Sequence, residues 1–184
     1  MKVEAGTFDK PVGTKIGRGS WIATVTSPQD FEGNSANVAA TTGQVCLQGQ
    51  KKVFAVDVRG SIWVMLAAVL EHADMTTKQL CEHGDAWCVP LASGYMYLAT
   101  KEVKREVGPG QYALGKHRVK IDNINHKLSV DGEVVLDLPK GKAFRLAVAT
   151  FNSDCKISLG SVTTKGTGAC LGGVVCDVGL HVAI

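Results

Sequence analysis

Between residues 84 and 159 short apolar runs alternate with polar residues, and each run is closed by a turn signal. The clearest unit is HRVKID, residues 117–122, followed by the connector NINH, residues 123–126, and then KLSVDGEVVLDL, residues 127–138. That last stretch holds a second tight turn at Asp131-Gly132. An Asp-Gly pair between alternating apolar residues is the strongest short-range hairpin signal in a sequence, because the turn that matches strand twist needs positive φ at both central residues. The pattern predicts an antiparallel β protein.

The same reading extends outward. Trp21–Val25, Val38–Leu47, Lys52–Val58, Trp87–Leu91, Gly94–Leu98, Phe144–Phe151 and Lys156–Leu159 have β-branched or alternating character. Ser61–Leu70 is almost continuously apolar and is assigned as a buried central strand, with a hairpin or bulge at Arg59-Gly60. Residues 1–20, with Pro11 and several glycines, are read as an irregular lead-in with one short strand around Lys15. Residues 27–35 gather Pro, Asp, Gly, Asn and Ser, the composition of a loop. His72–Asp85 is the one stretch with helical character, a short turn over Met75–Leu80. The apolar, glycine-rich tail, residues 169–184, is assigned one or two more buried strands. About a dozen short strands and one short helical segment predict an all-β, two-sheet antiparallel sandwich or barrel. No linker, repeat or low-complexity stretch divides residues 1–184, so a single domain is expected.

Composition narrows the function classes. With 45% hydrophobic residues over 184 positions, the chain can bury a sizeable core. A net charge of +3 is too small to argue for nucleic acid or an anionic membrane. Lys51-Lys52 and the cluster Lys101, Lys104 and Arg105 are read as solvated loop charges. Nucleic-acid binding through Lys101, Lys104, Arg105 and Lys116 would show affinity falling steeply with salt. No run of about 18 apolar residues is present, and MKVEAGTFDKPVG has no apolar signal core, so an intracellular, cytoplasmic protein is expected. The six cysteines are irregularly spaced and are read as reduced core residues.

Chemistry-bearing patterns are sparse. Cys81-x-His83-x4-Cys88 lacks the paired close spacings of a structural zinc site, so no metal is assigned. No cysteine stands in a nucleophile-base signature, and Gly13-x3-Gly17-x-Gly19 lacks the Lys-Ser/Thr of a phosphate loop. No catalytic residue and no cofactor are assigned. Trp63 and Trp87 lie in strand patterns and are read as core; Trp21 begins a strand beside a polar loop.

Several landmarks occur together in order. Gly60-Ser61-Ile62-Trp63-Val64 resembles the "G-x-x-Y/W-x-E-V" strand of SPRY domains, although Val64-Met65 stands where Glu-Val is usual. Asp85-Ala86-Trp87-Cys88-Val89 resembles their "S/A-W" strand, and Ala92–Tyr97 their "T-G-Y-L-Y" stretch. Val119–Asp122 followed by Lys127–Glu133 is similar to "V-x-L-D…L-S-F-x-x-N-G". Phe144–Phe151 and Lys156–Leu159 complete a resemblance that covers about residues 58–160. It implies a bent, concanavalin-like sandwich that is not an enzyme and binds a protein or peptide through loops at one rim. The loops it points to are Ser27–Ser35, His72–Asp85, Lys101–Tyr112 and Phe151–Asp154. Phe151-Asn152-Ser153-Asp154 resembles an "F-N-D-G" loop that lines the binding surface in the tripartite-motif branch. Phe31 between Asp30 and Glu32 offers an aromatic anchor with acidic flanks, suited to a basic or mixed peptide. Partner-binding residues are therefore expected among Asp30, Phe31, Glu32, His83, Asp85, Tyr112, Phe151, Asn152 and Asp154. A lectin-like carbohydrate binder on the same scaffold is the alternative, although no galectin-like H-x-N-x-R pattern and no calcium-binding acidic loop is seen.

Overall fold

The computed structural model describes residues 1–9, 14–16, 22–25, 38–60, 64–73, 84–91, 95–98, 101–104, 113–150 and 156–166. They form fifteen strands in two antiparallel sheets. The eight-stranded sheet runs, in spatial order, β13 (Glu133–Asp137), β12 (Lys127–Val130), β11 (Gly115–Asp122), β6 (Gln50–Arg59), β15 (Lys156–Gly166), β4 (Ile22–Val25) and β3 (Thr14–Ile16). β1 (Lys2–Ala5) also pairs with β15. The seven-stranded sheet runs β10 (Lys101–Lys104), β9 (Tyr95–Leu98), β8 (Ala86–Pro90), β7 (Val64–Leu70), β14 (Phe144–Thr150), β5 (Val38–Cys46) and β2 (Phe8–Asp9).

The alternation of β6 sets the inner face of the larger sheet. Phe54, Val56 and Val58 are buried, while Val53, Ala55 and Asp57 between them are half-buried. Side chains of successive strand residues point to opposite faces, so one apolar set meets the facing sheet. Phe54, Ile121 and Leu128 thus share one core with Leu66, Phe144 and Leu146. Trp87 packs edge-on against Phe144, with ring centroids 5.7 Å apart.

β7 is buried on both faces, as its continuous apolar run predicts. Val64, Leu66 and Ala68 join the core between the sheets. Met65, Ala67 and Val69 form a second cluster with Ala86, Cys88, Ala147 and Ala149. The hairpins are also as expected. Asp131 and Gly132 have φ of 52° and 90°, the signature of a primed turn, and His126 closes the preceding connector at φ 56°.

Other expectations are corrected. Arg59-Gly60 makes no hairpin: β6 and β7 belong to different sheets, and the chain passes between them with Gly60 at φ 91°. Lys2–Ala5 and Phe8–Asp9 are strands rather than irregular lead-in; both are short pieces with a partner on one side, and weak patterning suffices there. Lys101–Lys104 is an edge strand paired with β9, not a loop; charged residues are common on sheet edges because they deter pairing with other chains. Lys51 and Lys52 lie within β6. Lys52 is buried and donates to Thr164 Oγ1 at 2.6 Å, and Lys51 ion-pairs with Asp122 at 2.8 Å. β15 continues beyond Leu159 to Gly166 across a register shift between Leu159 and Val162. Trp21, Trp63, the helical turn over Met75–Leu80 and the tail lie outside the described residues. Among the described residues no helix is long and apolar enough to cross a membrane.

Candidate functional site

Strand register sorts the connections between the two ends of the sandwich. Thr150 stands opposite Val38 and Val64, and Lys156 opposite Arg59 and Thr24. Gly115 stands opposite Val58, and Lys104 opposite Tyr95, which lies toward Pro90. Pro90 in turn faces Met65. One end therefore gathers the ends of β4 and β10 and the starts of β5, β11 and β15, with the end of β14. These are the strand ends that bracket residues 26–37, 105–112 and 151–155. Asp30, Phe31, Glu32, Tyr112, Phe151, Asn152 and Asp154 themselves lie outside the described residues.

His83 and Asp85 are bracketed differently. Leu70 faces Phe144 and Val69 faces Ala86, which puts the end of β7 and the start of β8 at the opposite end. Asp85 is exposed, and its carbonyl accepts the Leu70 N–H at 3.0 Å. His83 lies outside the described residues.

At the first end the Asp131-Gly132 turn is fastened to β11 by side-chain chemistry. Asp131 Oδ1 accepts the Arg118 backbone N–H at 2.7 Å, and Oδ2 lies 2.8 Å from His117 Nδ1. His117 is buried, and its Nε2 lies 2.8 Å from the Ala113 carbonyl oxygen. The Asp131 N–H donates to the Arg118 carbonyl at 2.9 Å. Both oxygens of the Asp131 carboxylate are thus occupied. Sequence reading missed this arrangement; its one visible signal was a carboxylate in a turn that returns beside a histidine-bearing strand.

Next to this turn lies a groove of about 810 Å³ on the outer face of the larger sheet. Its floor is three consecutive residues on each of β6, β11 and β15, centred on Val56, His117 and Leu159. Val56 and Leu159 belong to the core between the sheets and His117 is buried, so the groove is shaped by their neighbours on the outer face. Ala55 and Gly160 keep the floor low: a Cβ placed on Gly160 would lie 3.6 Å from the Ala55 Cβ. Lys116 and Arg118 are exposed along β11, two residues apart on one face. Asp57 stands opposite Lys116, but its Oδ2 is taken by Arg59, through Nη2 at 2.8 Å and Nε at 3.0 Å.

The described thiols are structural. Cys46 and Cys88 are fully buried. Burial pushes the Cys46 thiol up to about 11, and its sulfur faces the carbonyls of Gln50 and Ile121 at 3.5 Å. A thiol held neutral and enclosed is a poor nucleophile. Iodoacetamide near neutral pH is expected to leave Cys46 unmodified in the native protein and to label it after denaturation, as read by peptide mass spectrometry. Rapid native labelling of Cys46 would contradict this packing. Cys81, His83 and Cys155 lie outside the described residues, and among the described ones no three His, Cys, Asp or Glu side chains are grouped as metal ligands would be.

No protein-family model matches the sequence, and no curated protein does. Solved structures do match. The SPRY domain of human HERC1 superposes with a TM-score of 0.60 at 14% identity, over 83% of this chain and 96% of that domain. The PSpry domain of TRIM65 gives 0.63 at 9% identity, over 85% and 92%. The chain has the fold of a SPRY domain. The SPRY fold shades into lectin sandwiches: a lectin from Bauhinia forficata in complex with GalNAc gives 0.52 at 10% identity, over 91% of this chain and 98% of the lectin. At these identities the likeness establishes architecture, and the binding chemistry has to be argued from this chain's own residues.

Proposed function

We propose that this SPRY-fold domain is a non-catalytic module that binds a protein or peptide at the end bounded by the termini of β4, β10 and β14. The observation that supports it most is the strand register, which sends three separate connections, carrying Phe31, Tyr112 and Phe151, from the same end of a rigid sandwich. Loops displayed together by a rigid scaffold are where binding residues concentrate, and aromatics among them make effective anchors. Asp85 belongs to the other end and acts separately in this reading, as does the connection between β7 and β8 that carries His83.

The test is partner capture with paired variants. The intact domain is expected to retain a protein partner that the double variant Phe31→Ala, Phe151→Ala loses at least about tenfold in affinity, with an unchanged melting curve. Asp85→Ala, at the opposite end, is expected to bind as the intact domain does. Equal binding by the double variant would move the site away from this end.

The likeness to a GalNAc-bound lectin supports a second reading, a carbohydrate-binding module. A glycan array, with and without calcium, separates the two: selective glycan capture together with no protein partner favours the second.

A further inference from the structure

We propose that the outer-face groove takes an extended acidic segment of the partner protein, one with Asp or Glu at alternate positions. The inference rests on reading the domain as a protein-binding module and names the chemistry of what it binds. Lys116, Arg118 and Lys120 project from one face of β11 at every second residue. Along a strand that spacing is about 6.6–6.8 Å, which is also the spacing of alternate side chains in an extended peptide.

The acids nearby are engaged elsewhere. Asp57 faces Lys116 across the ladder, yet Arg59 holds its Oδ2. Asp131 lies beside Arg118, yet its two oxygens serve His117 and the Arg118 backbone. Lys120 stands between Val53 and Ser129, with no acid opposite. Among the described residues none of the three cations makes an ion pair with a carboxylate. Lys116 and Arg118 line a depression floored by Ala55 and Gly160, and Lys120 follows on the same strand face just beyond it, which has the form of a binding trough rather than of a structural network.

Among the described residues no Phe, Tyr or Trp side chain lines the groove for base stacking, which disfavours a single-stranded nucleic acid. A peptide can place its acids at Lys116, Arg118 and Lys120 and neutral residues over the floor.

Two substitutions test the groove without touching its supports. Arg118→Glu reverses an exposed charge whose side chain makes no ion pair with a described carboxylate. Gly160→Val raises the floor, and its Cβ would meet Ala55 at ordinary contact distance, so the fold is expected to persist. Fluorescence anisotropy would compare a peptide alternating Glu and Ser with a peptide of equal composition in which the Glu residues are contiguous. The alternating peptide is expected to bind about tenfold tighter, to weaken with added salt, and to lose about tenfold with either variant. Melting curves matching the parent show that the loss is local. Equal binding of both peptides, retention by Gly160→Val, or tighter binding of oligo-dT or of a sialylated glycan would each overturn the proposal. Binding of the captured partner that depends on Phe31 and Phe151, with no binding of the alternating peptide, overturns this inference alone. Peptide binding without any rim-dependent partner overturns the rim assignment and leaves the groove standing.

Discussion

Phe144→Ala is expected to lower unfolding free energy by about 3–5 kcal/mol, the cost of emptying a large aromatic site in a closed core. Phe144 is fully buried and stands on β14 between Leu70 of β7 and Cys46 of β5. Its ring meets Trp87 at an interplanar angle of 87°, so truncation removes an edge-to-face contact as well as apolar area. β7 and β14 are held in a continuous ladder, which limits how far the site can collapse around the gap. For a domain of this size the melting temperature should fall by roughly 6–20 °C. Urea unfolding followed by Trp fluorescence checks both numbers. A loss under about 1 kcal/mol would mean that the two sheets do not meet at Phe144.

How much of this architecture was legible depended on the range of the interaction that sets each element. The β11–β12–β13 meander was plain because Asp131-Gly132 and the four-residue connector are local chemistry. β7 was plain because a strand buried on both faces must be apolar throughout. β10 was hidden by its own composition: an edge strand needs only one partner, and Lys101, Glu102 and Lys104 look like a solvated loop. The second half of β15 was hidden by Gly160 and Ser161 at the register shift, which break the alternation that reveals a strand. Lys52 was misread for the converse reason. Its long stem sits in an inward position, and its ammonium finds Thr164 on a strand that arrives far later in the chain.

The candidate site divides the same way. Loop composition and the SPRY resemblance pointed to four segments, but nothing local says at which end of a sandwich a segment emerges. Only the register of β7 against β14 and β8 separates Asp85 from the connections that follow β4 and β14. The groove was less visible still. Ala55 and Gly160 are unremarkable alone, and they form a floor only because β6 and β15 are neighbours. In the sequence Lys116 stands with Lys101, Lys104 and Arg105 only as a weak nucleic-acid signal, whereas its place beside Arg118 follows from strand alternation once Gly115–Asp122 is recognised as a single strand.

Asp122→Ala is expected to cost about 2–3 kcal/mol near neutral pH, because one buried carboxylate serves three separate tasks. Asp122 ends β11 and is only 3% exposed. Its Oδ1 accepts the backbone N–H groups of Ile124 and Asn125 at 3.2 and 3.0 Å, which closes the connector as an Asx turn. Its Oδ2 accepts from Asn125 Nδ2 at 3.0 Å and pairs with Lys51 at 2.8 Å, joining the connector to β6. Burial works to raise the Asp122 carboxyl, but the Lys51 ammonium and the Asn125 donors outweigh it and hold the group below the usual carboxylate range. A folded-state value below the unfolded one contributes stability that is complete above the unfolded value and is lost as pH falls through the folded one. The parent should therefore lose stability below about pH 4, while Asp122→Asn, which keeps an acceptor for the turn but carries no charge, should lose less over that interval. The gap between parent and Asn variant should narrow as the pH drops, as measured by urea midpoints. Parallel curves down to acid would show that the Lys51–Asp122 pair adds nothing to stability, and the Ala variant would then measure the turn alone.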